Sequence, residues 1–318
     1  MEKGFLSDAL FTVSIVDIGS NSVRMNIYEI DAEKGTFSVV SSSRAMLRLA
    51  AHVEDGKINA DGEGKIFALL RDYLAKSNSV PCDDFKVFAT ASLRGVSNAQ
   101  KITERVKRDL GVDISIISGE DEARYDYIAT VGRFGKDVAP RGVVIDMGGG
   151  STELIAFENG EPKSFYSLPI GSLALWRSFC SSRLDDPFPR ESERGEIEKY
   201  VAETLKEAAP IENFGGTAYL IGGTARALSN IDAFLTGRTD DTDGYVMDAP
   251  RFSAVASAAI NDAKMLRKIC PARLTSIVPG AVAYEKIIAF LGANSAVVSL
   301  SGVREGYISE YIRSFNRK

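Results

Sequence analysis

Two stretches, about half the chain apart, repeat one plan. Residues 13–30 (VSIVDIGSNSVRMNIYEI) and 142–157 (GVVIDMGGGSTELIAF) each run as an apolar strand ending in aspartate, a turn of small residues, and a returning apolar strand. Laid over each other, VDIGSNS and IDMGGGS keep Asp, Gly and Ser at the same spacing. A repeat at that separation marks duplication of one supersecondary unit rather than a short-period array. The chain is thereby constrained to two similar α/β halves, each opening on a hairpin.

The turns carry the chemistry. Gly148, Gly149 and Gly150 have no side chains to pack and cost conformational entropy, so they suit a backbone that turns sharply and offers its N–H groups at close range. Such a concavity, with Ser151 and Thr152 beside it, suits a phosphate, although Gly-Gly also suits an ordinary hairpin turn. Asp146 at the strand end is the type of carboxylate that holds the Mg²⁺ accompanying a phosphate. Gly19, Ser20, Asn21 and Ser22 after Asp17 form the first-half counterpart. A third candidate follows the strand 218–221, where Gly222, Gly223 and Thr224 lead into a helix whose N-terminal amides can hold an anion.

Composition narrows the function classes. The 318 residues are 45% hydrophobic and 25% charged with a net charge of −5, which predicts about two globular domains and no basic face for nucleic acid. The three cysteines, Cys82, Cys180 and Cys270, are widely spaced and lack metal-ligand spacing, which suits free thiols of a reducing compartment. The N-terminus lacks a signal-peptide pattern, and no apolar run reaches the length of a membrane span. The expectation is a cytoplasmic protein with no membrane partner. The single histidine, His52, excludes catalysis by histidine pairs and is expected in a solvated loop at 44–60.

In the first half the order is hairpin 13–30, strand 36–42, helix 62–77, strand 86–91, helix 98–110 and strand 113–117, an α/β pattern with an antiparallel edge. A helix opening at Glu120, Asp121 and Glu122 follows; acids in a first turn are expected from the helix dipole alone. Residues 133–141 suit a linker. The second half continues with strand 163–168, helix 172–179, an exposed loop 181–195, a charged helix 193–208, strand 218–221 and an exposed acidic loop around Asp240, Asp241 and Asp243. Helices at 251–268 and 279–291, strand 296–300 and a terminal helix 304–315 complete the chain.

VDIGSNSVRM, ATASLRG, ISGEDEARY, VIDMGGGSTEL, LPIGSL, LIGGTARAL and SLSGVREGYI, in this order and spacing, resemble the exopolyphosphatase and guanosine pentaphosphate phosphatase family over nearly the whole chain. The resemblance implies a duplicated ribonuclease H-like fold of the actin, Hsp70 and sugar kinase type, two domains with an interdomain active-site cleft. The expected domains are 1–130 with the terminal helix 304–318, and 131–303. It implies Mg²⁺-dependent hydrolysis of a terminal phosphoanhydride, from inorganic polyphosphate or the 5′ end of guanosine pentaphosphate. Glu122 matches the carboxylate that activates the attacking water, and Glu153 a second acid near the water or metal. Asp17 and Asp146 match metal-side aspartates, and Arg94 an arginine that neutralises phosphate charge. Arg24 is a further match that not every member shares. Gly19 to Ser22 and Gly148 to Thr152 match the phosphate loops, and Gly222, Gly223 and Thr224 the turn that binds the nucleotide or polymer.

The chain resembles the short two-domain form, without the helical domains with which longer members bind long polymer. The segment RLTSIVPGA lacks the Arg-x-Asp that many members carry before the proline; Leu274 and Ser276 stand near those positions. A homodimer is compatible with the resemblance. A small-molecule kinase of the same fold would need an acceptor-binding segment, which is not evident. A non-catalytic nucleotide-binding regulator is disfavoured by the presence of both Glu122 and Glu153.

Overall fold

The computed structural model describes residues 10–135, 138–180 and 186–315. The chain divides into two compact units, Met1–Ser118 with Tyr307–Lys318, and Gly119–Gly306.

The first unit begins with the meander β1 (Leu10–Ile18), β2 (Val23–Asp31) and β3 (Thr36–Ala45). A 3-10 turn at Leu49–His52 and the small hairpin β4 (Val53–Glu54) and β5 (Lys57–Ile58) lead to α1 (Ala60–Asn78). Then come β6 (Asp84–Ala89), the one-turn α2 (Ala91–Arg94), α3 (Ala99–Leu110) and β7 (Ile114–Ile116). The sheet order is β3-β2-β1-β6-β7. β1 pairs antiparallel with β2 and parallel with β6, so it is central and almost continuously buried. Ile66, Leu70, Ile102 and Val106, spaced by one turn on α1 and α3, close the core against Val16, Ile18 and Val87.

The second unit starts with α4 (Gly119–Phe134), then the meander β8 (Arg141–Met147), β9 (Thr152–Glu158) and β10 (Glu161–Leu168). It continues with α5 (Ser172–Phe179), α6 (Glu191–Thr204), β11 (Thr217–Gly222), α7 (Gly223–Thr236), β12 (Val246–Asp248), α8 (Ala249–Asn261) and α9 (Ala263–Ile269). α10 (Leu274–Leu291), β13 (Ser295–Val298) and α11 (Val303–Phe315) end the chain. The sheet order is β10-β9-β8-β11-β13-β12, with β11 parallel to both β8 and β13. Alternation along β8 feeds two cores: Val143 and Ile145 pack with the helices α7, α8 and α10, while Val144 packs with Ala123 and Tyr127 of α4. Each unit thus joins an antiparallel meander to parallel strands and helices, the duplicated ribonuclease H-like α/β fold that the family resemblance implies.

The structure differs from several expectations. α4 belongs to the second unit, because its apolar face covers β8, β9 and β10; the division falls at 118/119 rather than near 130. The 251–268 helix is two helices, since Asp262 leaves helical geometry and its side chain accepts from Met265 N to start α9. α10 begins at Leu274, before Pro279, and the acidic loop ends in β12, paired with β13. The charged helix α6 starts at Glu191 and gives way to a 3-10 stretch at Leu205. Residues 181–185 of the expected exposed loop, and 136–137 of the expected linker, lie outside the described residues. His52 is partly buried beside Lys65 and Asp61 of α1 rather than solvated. Contrary to the sequence expectation, Pro271–Leu291 is long and apolar enough to cross a membrane, with mean hydropathy 1.4. That stretch is 67% buried inside the unit, where α10 packs on α5, α6 and α8, and a core helix requires the same composition.

Candidate active site

Within the first unit, Asp17 ends β1 directly opposite Arg24 on β2. The turn between them is tight: Gly19 N donates to Ser22 O at 3.2 Å, and a Cβ at Gly19 would lie 3.0 Å from that oxygen. The 3-10 turn after β3 holds the loop from outside, with Arg48 N donating to Asn21 O at 2.8 Å and Ala50 N to Ser20 O at 3.0 Å. α2 is tied to the same strand end, because the Ser92 hydroxyl donates to Ile18 O. Arg94, the last residue of α2, donates to Ile117 O at 3.2 Å, which anchors the half-buried guanidinium beside the end of β7.

The second unit builds a denser arrangement. Asp146 and Glu153 are directly opposed on β8 and β9. Glu153 is only 1% exposed, and Ser167 Oγ of β10 donates to its Oε1 at 2.8 Å. Gly148 N donates to Ser151 O at 3.0 Å and closes the turn. α5 clamps the turn from behind: Ser172 N and Leu173 N donate to Gly148 O and Gly149 O at 3.1 and 3.0 Å. Only glycine at 171 permits this approach, since a Cβ there would lie 2.4 Å from Gly150 C. The clamp consumes the carbonyls of Gly148 and Gly149. Among the described residues, the N–H groups of Gly149 and Gly150 donate to no backbone carbonyl, which leaves them as donors for an anion. Thr152 is fully buried and donates its hydroxyl to Ile170 O at 3.1 Å, so its proton serves the loop.

The Gly222–Thr224 turn meets this hairpin. Ile221 is registered with Asp146, and Gly222, at φ 101°, would with a Cβ come within 2.6 Å of Met147 O and 3.0 Å of Asp146 Oδ1. Thr224 is 1% exposed and its Oγ1 has no hydrogen-bond partner among the described residues. Glu122 is buried at 7% exposure in the first turn of α4, whereas Glu120 is exposed and Asp121 lies 3.6 Å from Arg124. Burial of one acid among three in a first turn separates it from simple dipole compensation. Asp126, one turn further along α4, is fully buried as well.

Asp17, Gly19–Ser22, Arg24 and Arg94 therefore belong to the first unit, and Glu122, Asp146, Gly148–Thr152, Glu153 and Gly222–Thr224 to the second. Sequence reasoning missed Arg273. Its guanidinium lies against Gly223, where a Cβ would be 1.7 Å from Nη2. The arginine stands just before the long apolar helix α10, fifty positions from the glycine, and no local pattern signals the contact.

The Ppx/GppA phosphatase family model matches residues 26–315. Exopolyphosphatase 1 of Mycobacterium tuberculosis is 28% identical over 296 residues, covering 81% of this chain and 84% of the relative. Exopolyphosphatase 1 of Mycobacterium leprae is 26% identical over 306 residues, covering 93% and 88%. The crystal structure of the Aquifex aeolicus Ppx/GppA family member is 25% identical, with a TM-score of 0.78 over 97% of this chain and 100% of that one. An exopolyphosphatase from Cytophaga hutchinsonii shares the fold at a TM-score of 0.84 and 19% identity, covering 95% of this chain and 98% of that one. The chain belongs to the Ppx/GppA phosphatase family.

Proposed function

We propose that this protein hydrolyses the terminal phosphoanhydride of inorganic polyphosphate, with guanosine pentaphosphate as the second candidate substrate. The names of its relatives and the family match support the reaction class. The observation that carries the reading is Glu122, a buried carboxylate in the unit that holds both glycine turns. Phosphoryl transfer asks a protein for positioning and charge neutralisation more than for covalent chemistry. In this reading the free N–H groups of Gly149 and Gly150 receive phosphate oxygens, and Arg94 and Arg273 neutralise phosphate charge. Glu122 orients the attacking water and takes its proton, an effect typically worth about 10²–10⁴-fold. No phosphorylated intermediate is needed, so the lack of a catalytic histidine is consistent with direct attack by water.

Among the described residues, no group of three or more His, Cys, Asp or Glu side chains stands ready to hold a metal ion. Mg²⁺ needs no such cage, because it binds through one or two carboxylates and substrate phosphates. The opposed pair Asp146 and Glu153 fits that donor set, and the third metal-side match, Asp17, lies in the first unit. When bound, the ion would supply charge neutralisation to the phosphates.

The test is phosphate release from short polyphosphate, long polyphosphate and guanosine pentaphosphate with and without Mg²⁺, using Glu122→Gln as control. Release that Glu122→Gln loses supports the reaction and the role of Glu122, and the preferred substrate identifies the specificity. Binding without release by the wild type would instead favour a regulator. Unchanged release by the variant would move the water-activating role to Glu153.

A further inference from the structure

Behind the two glycine turns of the second unit runs α10, and two of its residues, Gly280 and Tyr284, lie one turn apart on the same helix face. Gly280 is the close-approach position. A Cβ there would lie 2.7 Å from Thr224 Cγ2 and 3.1 Å from Ser172 Cβ. Thr224 belongs to the Gly222–Thr224 turn, and Ser172 holds Gly148 O through its N–H and its hydroxyl, at 3.1 and 3.2 Å. One turn on, Tyr284 is completely buried, and its hydroxyl donates to Ile221 O at 2.9 Å. Ile221 is the residue before Gly222 and is registered with Asp146. One hydroxyl therefore anchors the end of β11, which carries the second turn and is registered there with Asp146 of β8.

We propose that the Gly280–Tyr284 face of α10 is the positioning element of this site, with Gly280 bringing Thr224 and Ser172 together and Tyr284 fixing the end of β11 that carries the Gly222–Thr224 turn. The inference rests on the reading of those turns as phosphate-binding. Phosphoryl chemistry tolerates little displacement of its donors, and a shift of about 1 Å can cost about a hundredfold in rate. Burial, followed by the nearby Asp146 carboxylate, pushes the Tyr284 phenol well above its usual range, so it remains a donor throughout the working pH range. The apolar shape of the ring serves the core. The hydroxyl serves the end of β11.

Tyr284→Phe removes the hydroxyl and keeps the shape. Tyr219→Phe is the matched control: it lies on the same β11, and its hydroxyl accepts from Ala139 N, away from the turns. The expected result is a similar small loss of melting temperature in both variants. In Tyr284→Phe alone, kcat for polyphosphate should fall roughly 10- to 100-fold. An unchanged kcat in Tyr284→Phe, or an equal loss in Tyr219→Phe, would overturn the proposal. If Tyr284→Phe does not fold, Gly280→Ala carries the same test, because it forces Thr224 and Ser172 outward.

Tripolyphosphate affinity, measured by calorimetry on the same proteins, separates this inference from the reaction it rests on. If the wild type binds but releases no phosphate, the hydrolase reading fails. The positioning role then stands only if Tyr284→Phe binds about tenfold more weakly and Tyr219→Phe does not. If the wild type neither binds nor hydrolyses, both readings are overturned.

Discussion

Glu153 and Arg24 occupy the same place in the duplicated hairpin with opposite charge. Glu153 stands directly opposite Asp146 across the β8–β9 ladder, and Arg24 stands directly opposite Asp17 across β1–β2. Directly opposed residues on antiparallel strands share a face, with Cβ atoms about 5 Å apart. The first unit therefore sets a basic residue opposite its strand-end aspartate. The second unit places two carboxylates together in a setting where Glu153 is almost wholly enclosed. Duplication preserved the backbone plan, and the two copies diverged in the charge they present.

Like charges directly opposed across a ladder destabilise it by roughly 0.2–1 kcal/mol. Glu153→Gln should relieve that repulsion while its amide oxygen still accepts from Ser167 Oγ. Without divalent cation the variant should melt slightly above the wild type. With Mg²⁺ the order should reverse, and the Mg²⁺ concentration needed for half-maximal activity should rise. Melting curves with and without Mg²⁺ check both signs; a variant that tracks the wild type in both conditions argues against the pair as the ion's seat.

Gly222 and Gly223 are adjacent but should respond differently to alanine. Gly222 has φ 101°, and its Cβ would press on the Met147 carbonyl, which is fixed backbone. Gly222→Ala should cost about 1–3 kcal/mol and abolish turnover. At Gly223 the obstacle is the Arg273 guanidinium, the end of a flexible side chain. Gly223→Ala should leave melting nearly unchanged, displace Arg273 and raise KM, as Arg273→Gln should. Thermal melts paired with steady-state kinetics distinguish the two positions.

The hairpins and the helical stripes were legible because their signals are local: apolar runs along β1 and β8, one-turn spacing along α1 and α3, and Asp-Gly-Ser spacing at the turns. Glu122 was visible only through its resemblance, since three successive acids in a first turn look alike until burial separates them. The affiliation of α4 was not legible, because an amphipathic face does not say which sheet it will cover. The break at Asp262 falls in a run without glycine or proline, and is made by a side-chain cap rather than a breaker. Arg273 and Tyr284 meet the glycine turns through tertiary contacts of long sequence separation, which no periodicity encodes.

The terminal helix is fastened to the first unit by Asp84 on β6, which accepts from Tyr311 Oη at 2.7 Å and lies 2.8 Å from Lys86 Nζ. Burial works against the Asp84 carboxylate, but the bonds from Lys86 and Tyr311 outweigh it and lower its pKa. The unfolded value is about 3.9. The stabilisation is therefore complete above that value and drains away as pH falls through the lower folded value. Tyr311→Phe should cost about 1 kcal/mol near neutrality. The gap to the wild type should narrow in acid, as measured by urea unfolding at about pH 7 and about pH 3.

Asp232 on α7 organises the segment between α7 and α8. It is completely buried, accepts from Tyr245 Oη and from Arg251 Nε, each at 2.5 Å, and lies 3.8 Å from Arg238 Nε. Arg238 in turn stacks 3.3 Å from the Tyr245 ring centroid and donates to Ser229 Oγ at 2.8 Å. Removing the one carboxylate takes away the buried counter-charge of Arg251 and leaves Arg238 with the exposed Asp240, 3.4 Å away. Breaking a buried pair of this kind costs about 3–5 kcal/mol. Arg251 reaches solvent, with a side chain 36% exposed, so the lower part of that range applies to Asp232→Asn. Because Arg238 is only 11% exposed in the intact structure, trypsin should cut after it slowly in the wild type and faster in the variant. Equal cleavage rates would mean that the bonds from the Arg238 guanidinium to the carbonyls of Asp240 and Asp241, not Asp232, hold the segment in place.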